Sequence, residues 1–310
     1  MEQLSSVPEV RAYRACCREN NQRVAFVPTM GYLHQGHLAL VEEARRLADV
    51  VVVSIYVNPT QFGAGEDLDR YPRDLDRDQR LLKALGVDLL WTPSNQDMYP
   101  DGASTFVSVE GTLSSQLCGA SRPTHFRGVT TVVAKLLQVL GPEVAVFGLK
   151  DYQQFQLVQR MVRDLFLEVE LVGVETVREA DGLAMSSRNA FLGPDERSAA
   201  PVIRRGLLAA ARDLGAGLAP DAVLARLGAE VTSAGGRVDY IDVLEAGSLG
   251  RYADAAMAGG LSPEDLPALI ALAAWFGSAR LIDNVVVTVG GGPGMQESRS
   301  NGAPHGSAAD

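Results

Sequence analysis

Cysteine is scarce in this chain: Cys16, Cys17 and Cys118 are the only three in 310 residues, an odd count without the paired spacing of a zinc site. That excludes a disulfide framework, suits a reducing compartment and leaves the thiols structural duties. No apolar run approaches the roughly 18 residues that cross a membrane. The opening MEQLSSVPEV has neither the basic start nor the continuous apolar stretch of a secretory signal, so the expectation is a cytoplasmic protein with no membrane partner. Basic residues are in deficit, 28 Lys and Arg against 38 Asp and Glu, and the formal charge of -10 comes with no basic stripe. Nucleic acid is therefore not an expected partner, and small anions can bind only where a few cations converge. No repeat at solenoid or propeller period is visible.

What is present reads as an ordinary globular protein, 46% hydrophobic and 21% charged. Its 33.0 kDa exceed one small domain and predict a large domain plus a smaller one. From Arg23 to about Val177, short β-branched runs alternate with helical patterns, the signature of a parallel sheet wrapped by helices. The strand candidates are VAFV (24 to 27), VVVSIYV (51 to 57), VDLLW (87 to 91), EVAVFG (143 to 148) and VELVGVETV (169 to 177). Leu38, Val41, Ala44 and Ala48 recur at helical spacing between the first two; further helices are expected at 76 to 85, closed by Gly86, and at 129 to 140, stopped by Gly141 and Pro142. The fold class expected is α/β, a Rossmann-like doubly wound parallel sheet over residues 1–186. Helical stretches at 195 to 213 and 220 to 234, followed by apolar runs at 238 to 246, 268 to 275 and 280 to 289, predict a smaller C-terminal α+β lid domain over 187–290. From 291 to 310 the chain is rich in Gly, Ser and Pro, and a disordered tail is expected.

Ligands of doubly wound sheets sit beyond the carboxyl ends of the strands, so the loops there are where chemistry is expected. The first strand runs into PTMGYLHQGH, with His34 and His37 flanking Gly36 at the mouth of a helix. Free backbone N–H groups favour a phosphate there, glycine lets it approach, and two imidazoles can donate to a phosphorus centre gaining charge. A lone HxGH is a weak signal, and its position after the first strand is what favours phosphate chemistry. The loop after the second strand carries Asn58 and Gln61, neutral amides suited to hydroxyl and carboxylate oxygens, although an ordinary turn would look the same. GLKDYQQ, after the fourth strand, sets Lys150 and Asp151 at a helix start, where lysine neutralises phosphate and Asp151 either accepts from a ribose hydroxyl or caps the helix. VREADGLAMSSRNAFL (177 to 192) is expected either as a flexible linker or as a mobile lid bringing Arg188 onto a triphosphate. Four polar loops with two His, a Lys and an Arg converge on nucleotide-phosphate transfer without a covalent protein nucleophile.

Taken in order, PTMGYLHQGH, SIYVNPTQF, YPRDLDRD, RPTHFRGV, VFGLKDYQQ, READGLAMSSRNAFL and RLIDN resemble the pantothenate synthetases over residues 23 to 285. The resemblance implies ATP as substrate with Mg²⁺, pantoate and beta-alanine as partners, a homodimer, and pantothenate made through a pantoyl-adenylate with release of AMP and pyrophosphate. Carried onto this sequence, it assigns ATP contacts to Met30, Gly31, Tyr32, Leu33, His34, Gln35, Gly36 and His37, with His37 as proton donor. Gly148, Leu149, Lys150, Asp151, Val177, Met185, Ser186, Ser187 and Arg188 complete the ATP set. Gln61 and Gln154 would hold pantoate, with Gln61 also near beta-alanine; Asn58, Tyr71, Arg122 and His125 surround the same cavity, and Asp78 is a polar or metal-associated group. The chain departs from the family pattern at Leu149 (usually Glu), Thr60 (usually Met) and Arg77 (often acidic). Other HxGH nucleotidyltransferases, or a silent nucleotide-binding protein, are the alternatives; the first leaves Gln61 and Gln154 unused, and the second fits poorly with four retained charged or imidazole groups.

Overall fold

The computed structural model describes residues 1–252, 254 and 266–288, so the tail expected at 291 to 310 lies outside the described residues. Six strands, β1 (Glu2–Leu4), β2 (Val24–Thr29), β3 (Val50–Ile55), β4 (Leu89–Trp91), β5 (Val144–Gly148) and β6 (Glu170–Val174), form one sheet in the order β1-β4-β3-β2-β5-β6. Every pairing in it is parallel. The central strands explain themselves: β2 and β3 are apolar and buried on both faces, as a sheet covered by helices on each side requires. Helix α2 (Gln35–Leu47) turns Leu38, Leu40, Val41 and Ala44 inward, within one core cluster that also holds Val27 and Val53. β3 and β4 lie on one side of β2 while β5 and β6 lie on the other, so the winding reverses between β2 and β5. The crevice beyond those two strands is the position where such sheets bind ligands.

Two elements ahead of β2 escaped the sequence. β1 is three residues long, with Glu2 and Gln3 exposed at the sheet edge and Leu4 partly buried where it pairs with Trp91 of β4. Helix α1 (Val7–Glu19) did carry a signal: Ser6 and Glu9 form a reciprocal capping box, with Pro in the first turn. The helix expected from 129 begins a turn earlier, at His125, and ends at Leu140, where Gly141 adopts the left-handed conformation (φ 54°). That earlier start matters, because it puts His125 on a helix instead of a loop.

Beyond the large sheet, the single helical stretch expected at 195 to 213 is split into Pro194–Ala199 and Val202–Gly215, with Pro201 standing at the N-cap of the second. Helix Pro220–Ser233 follows. Strands β7 (Arg237–Glu245), β8 (Pro267–Phe276) and β9 (Ala279–Thr288) then form an antiparallel sheet in the order β7-β8-β9. The middle strand, PALIALAAWF, is apolar throughout because both of its faces are covered. Leu269 and Ala271 belong to the core that includes Phe126 and Phe155; Ala268, Ile270, Leu272 and Ala274 belong to the core of the C-terminal helices. Strand pleating thus makes β8 the seam between the two sheets.

Leu269→Ala and Ile270→Ala, one residue apart, should each cost about 2–5 kcal/mol of stability through different cores. Hydrogen exchange should show the first loosening the contact with helix Tyr152–Asp164 and the second loosening Val202–Gly215; identical exchange patterns would contradict a two-faced seam.

Candidate active site

The loop after β2 folds back on itself before α2 begins. Its His34 is the N-cap residue: Nδ1 accepts from the Gly36 amide at 3.1 Å, while His37 Nδ1 accepts from the His34 amide at 3.3 Å. A nitrogen that accepts from a backbone N–H carries no proton, so both neutral rings hold theirs on Nε2. The two rings lie 4.1 Å apart, tilted by 37°. Burial, with the Lys150 cation second, pulls His34 down to about 4, and burial followed by the neighbouring His34 and Lys150 holds His37 well below its usual value. Two neutral imidazoles therefore face one cavity as N–H donors. Gly36 is required for a reason the sequence did not suggest: a Cβ there would meet the His34 ring at 2.8 Å, so the glycine makes room for an imidazole.

That cavity, about 200 Å³, opens beyond β2 and β5 and is lined by Met30, His34, Gly36, His37, Asn58, Gln61, Tyr71, Gly148, Lys150, Asp151, Gln154, Val177 and Met185. It adjoins a second of about 300 Å³, which shares Met30, Gln61, Lys150, Asp151 and Gln154 and adds Arg122, His125, Ser186 and Arg188. The cations differ in their partners. Arg188 makes a two-point pair with Asp67 (2.8 and 3.0 Å), and Arg122 does the same with Glu66 (2.7 and 2.5 Å). Burial raises both carboxyls, but their arginines outweigh it and hold them below the ordinary range. Lys150 makes no ion pair among the described residues; its Nζ donates to the Met185 carbonyl at 3.3 Å. Asp151 sits at a helix N-cap without a side-chain capping bond, so capping does not account for its carboxylate.

Asn58 is 1% exposed and fully engaged: Nδ2 donates to the Gly128 carbonyl and to Gln61 Oε1, both at 3.1 Å, while Oδ1 accepts from Thr60 and Tyr99 hydroxyls at 2.9 and 3.0 Å. It orients Gln61. Thr60, one of the departures, is part of that network, and the neighbouring Tyr99 was not anticipated. A Cβ on Gly128 would lie 2.4 Å from the Thr60 carbonyl, so only glycine lets helix His125–Leu140 press on this turn. His125 Nδ1 lies 2.8 Å from the Gln61 carbonyl, and burial, then Arg122, pulls the ring down to about 4.

Seven expected positions line neither cavity. Leu33 is a core residue, Gln35 is exposed, and Gly31 and Tyr32 form the left-handed turn between β2 and α2 (φ 80° and 51°). Leu149 packs on Gly173 and lends its carbonyl to Asn284, whose amide also donates to the Lys150 carbonyl, both at 3.0 Å. Its apolar side chain replaces nothing in the cavity. Ser187 is buried and donates to the Tyr32 carbonyl at 3.3 Å. Asp78 gives both oxygens to backbone amides of Tyr32 and Leu33. The segment expected as a mobile lid or a linker is a folded element: Arg178 pairs with Asp283 of β9, Met185 bonds back to Val177, and Ser187–Phe191 is a 3-10 turn. Asp67, Glu66, Asp283 and Asn284 were missed as partners because their roles are long-range pairings.

Fold and site together define an α/β enzyme with a polar crevice at the crossover of a parallel sheet. The chain belongs to the pantoate-beta-alanine ligase family, whose model matches residues 2–286. A pantothenate synthetase of Shewanella amazonensis is 50% identical over 282 residues, covering 90% of this chain and 97% of the relative. One of Moorella thermoacetica is 48% identical over 291 residues, covering 93% and 99%. Among solved structures, a pantothenate synthetase of Thermus thermophilus superposes with a TM-score of 0.82 at 47% identity, covering 92% of this chain and 99% of that one. The pantoate-beta-alanine ligase of Francisella tularensis, complexed with beta-gamma ATP and beta-alanine, gives 0.76 at 34% identity and covers 92% and 97%. No helix among the described residues is long and apolar enough to cross a membrane.

The depressed imidazoles have a consequence for stability. Below about pH 6.5 the unfolded chain takes up protons that folded His34 and His125 refuse until about pH 4. Their contribution is therefore full above 6.5 and is lost as pH falls through that window. The melting temperature should drop between pH 7 and 5, and drop less in His125→Asn, which has no proton to take up; equal slopes would show that His125 is not held neutral.

Proposed function

We propose that the chain activates pantoate as pantoyl-adenylate and transfers the pantoyl group to beta-alanine, releasing AMP and pyrophosphate. The observation that carries this reading is the grouping, around one crevice, of two neutral Nε2–H imidazoles, an ammonium outside any ion pair among the described residues, and two amides, Gln61 and Gln154. A carboxylate is a poor electrophile because its leaving group would be oxide, so activation precedes amide formation. In the first step a pantoate carboxylate oxygen bonds to the α-phosphorus as the bond to the bridging oxygen of pyrophosphate breaks. His34 and His37 donate N–H bonds to phosphate oxygens, and Lys150 neutralises charge there as it accumulates. His37 thus acts as a hydrogen-bond donor without first carrying a positive charge.

In the second step the beta-alanine nitrogen attacks the carboxyl carbon, the bond to AMP breaks and the amine proton leaves to solvent. Gln61, fixed by Asn58, holds the acid next to the point of attack. Asp151, whose carboxylate makes no capping bond, accepts from the ribose hydroxyls in this reading, and Arg122 and Arg188 become partners for anionic groups once Glu66 and Asp67 release them. Mg²⁺, when bound with ATP, would supply neutralisation of the triphosphate charge; Asp78 does not offer it a free oxygen, since both of its own accept backbone amides. In this reading residues 1–186 bind the substrates, and 187–290 cover them.

With ATP, Mg²⁺ and pantoate, but no beta-alanine, the protein should exchange labelled pyrophosphate into ATP, and omitting pantoate should abolish exchange. His37→Ala and Lys150→Ala should each reduce it about 10²- to 10³-fold while folding normally by circular dichroism. Exchange that requires beta-alanine, or proceeds without pantoate, would refute the adenylate route.

A further inference from the structure

Helix α3 (Leu75–Ala84) starts beside the loop that carries the histidines, and two adjacent residues of its first turn grip that loop. Asp78 is 1% exposed; Oδ2 accepts from the Tyr32 amide at 2.7 Å and Oδ1 from the Leu33 amide at 2.8 Å. Arg77 works on the other side of the same peptides. Its Nη1 donates to the Leu33 carbonyl at 2.9 Å, and its guanidinium lies 5.5 Å from the centre of the Tyr32 ring. The turn being held needs holding: Tyr32 is a non-glycine residue at φ 51°, next to Gly31 at φ 80°. Space is tight as well, because a Cβ on Gly31 would come within 2.9 Å of Ile55 and 3.1 Å of the Asp78 carboxylate. Leu33 is followed at once by His34, the cap of α2, so the turn sets where both imidazoles begin.

We propose that Arg77 and Asp78 are positioning residues for the reaction. They touch no substrate; they fix the Gly31–Leu33 turn, and through it place His34 and His37 at the phosphates. The inference rests on the phosphate role proposed for those histidines. It also gives Arg77 a purpose: an acidic residue at that position could not donate to the Leu33 carbonyl. Asp78 becomes a backbone clamp in place of a metal ligand, since each of its oxygens already accepts a main-chain N–H.

The test uses the full chain with ATP, Mg²⁺, pantoate and beta-alanine. Asp78→Asn keeps the shape but turns one acceptor into an N–H facing another N–H. Arg77→Ala removes a side chain that is 41% exposed, so it keeps its fold and remains informative if Asp78→Asn does not. Leu82→Ala, a core change on the same helix, is the control for destabilisation alone. Asp78→Asn should lower kcat and pyrophosphate exchange on the order of 10²-fold, and Arg77→Ala about tenfold, with KM for beta-alanine within about twofold of the parent. Leu82→Ala should lower the melting temperature at least as far yet keep its turnover per folded molecule, and the Mg²⁺ concentration giving half-maximal rate should not move in Asp78→Asn. Near-parental turnover in both clamp variants, a loss that follows melting temperature as in the control, or recovery of Asp78→Asn at high Mg²⁺ would each overturn the proposal. If His37→Ala is itself active, the role of the histidines fails; if His37→Ala is inactive while the clamp variants work, only the clamp fails.

Discussion

A parallel sheet sends all of its strands out through one edge, and where the winding reverses no connection crosses to cover that edge. Here the reversal falls between β2 and β5, so the loop with His34 and His37 and the loop with Lys150 open into the same crevice. Almost everything else in the site is an adjustment to this geometry. The helices that begin there point their N-termini at the crevice, and Gly36 and Gly128 let an imidazole and a helix come closer than any side chain would permit.

The crevice is partly dry, and that decides its charge states. Burial outweighs the ordinary basicity of all three described histidines, while Lys150, close by, adds to the cost of charging His34 and His37. The arginines behave differently, because a guanidinium keeps its charge and finds carboxylates. Glu66 and Asp67, two neighbours in one loop, hold Arg122 and Arg188 in two-point pairs. In a protein of net charge -10, the crevice thus matches Arg122 and Arg188 with its own acids and leaves Lys150 outside any ion pair among the described residues, beside neutral N–H donors.

The small sheet is an active participant in this arrangement. From β9, Asn284 pins the carbonyls of Leu149 and Lys150, and Asp283 anchors Arg178 at the start of the segment carrying Ser186 and Arg188. β8 meanwhile packs on both cores. Contacts between the two sheets therefore fix where the crevice loops stand, and a loose linker would not do so.

Much of this was legible locally. The strands from 24 to 174, α2 with its apolar stripe, and the β-branched and Gly signals that bound them follow from residues close together in the chain, because backbone preference and side-chain period act over a few positions. The polar loops at the strand ends, which the structure gathers around one crevice, were legible for the same reason. β1 was invisible because three residues at a sheet edge, two of them polar, are too few to show a period, whereas the Ser6–Glu9 box before α1 could have been read. What only the tertiary structure decided are the pairings across 40 or more positions: Asp78 with Tyr32 and Leu33, Asp67 with Arg188, Asn284 with Lys150, and the burial that keeps the imidazoles neutral. Hydrogen bonds and desolvation depend on which groups meet in space, and a one-dimensional pattern contains no term for that.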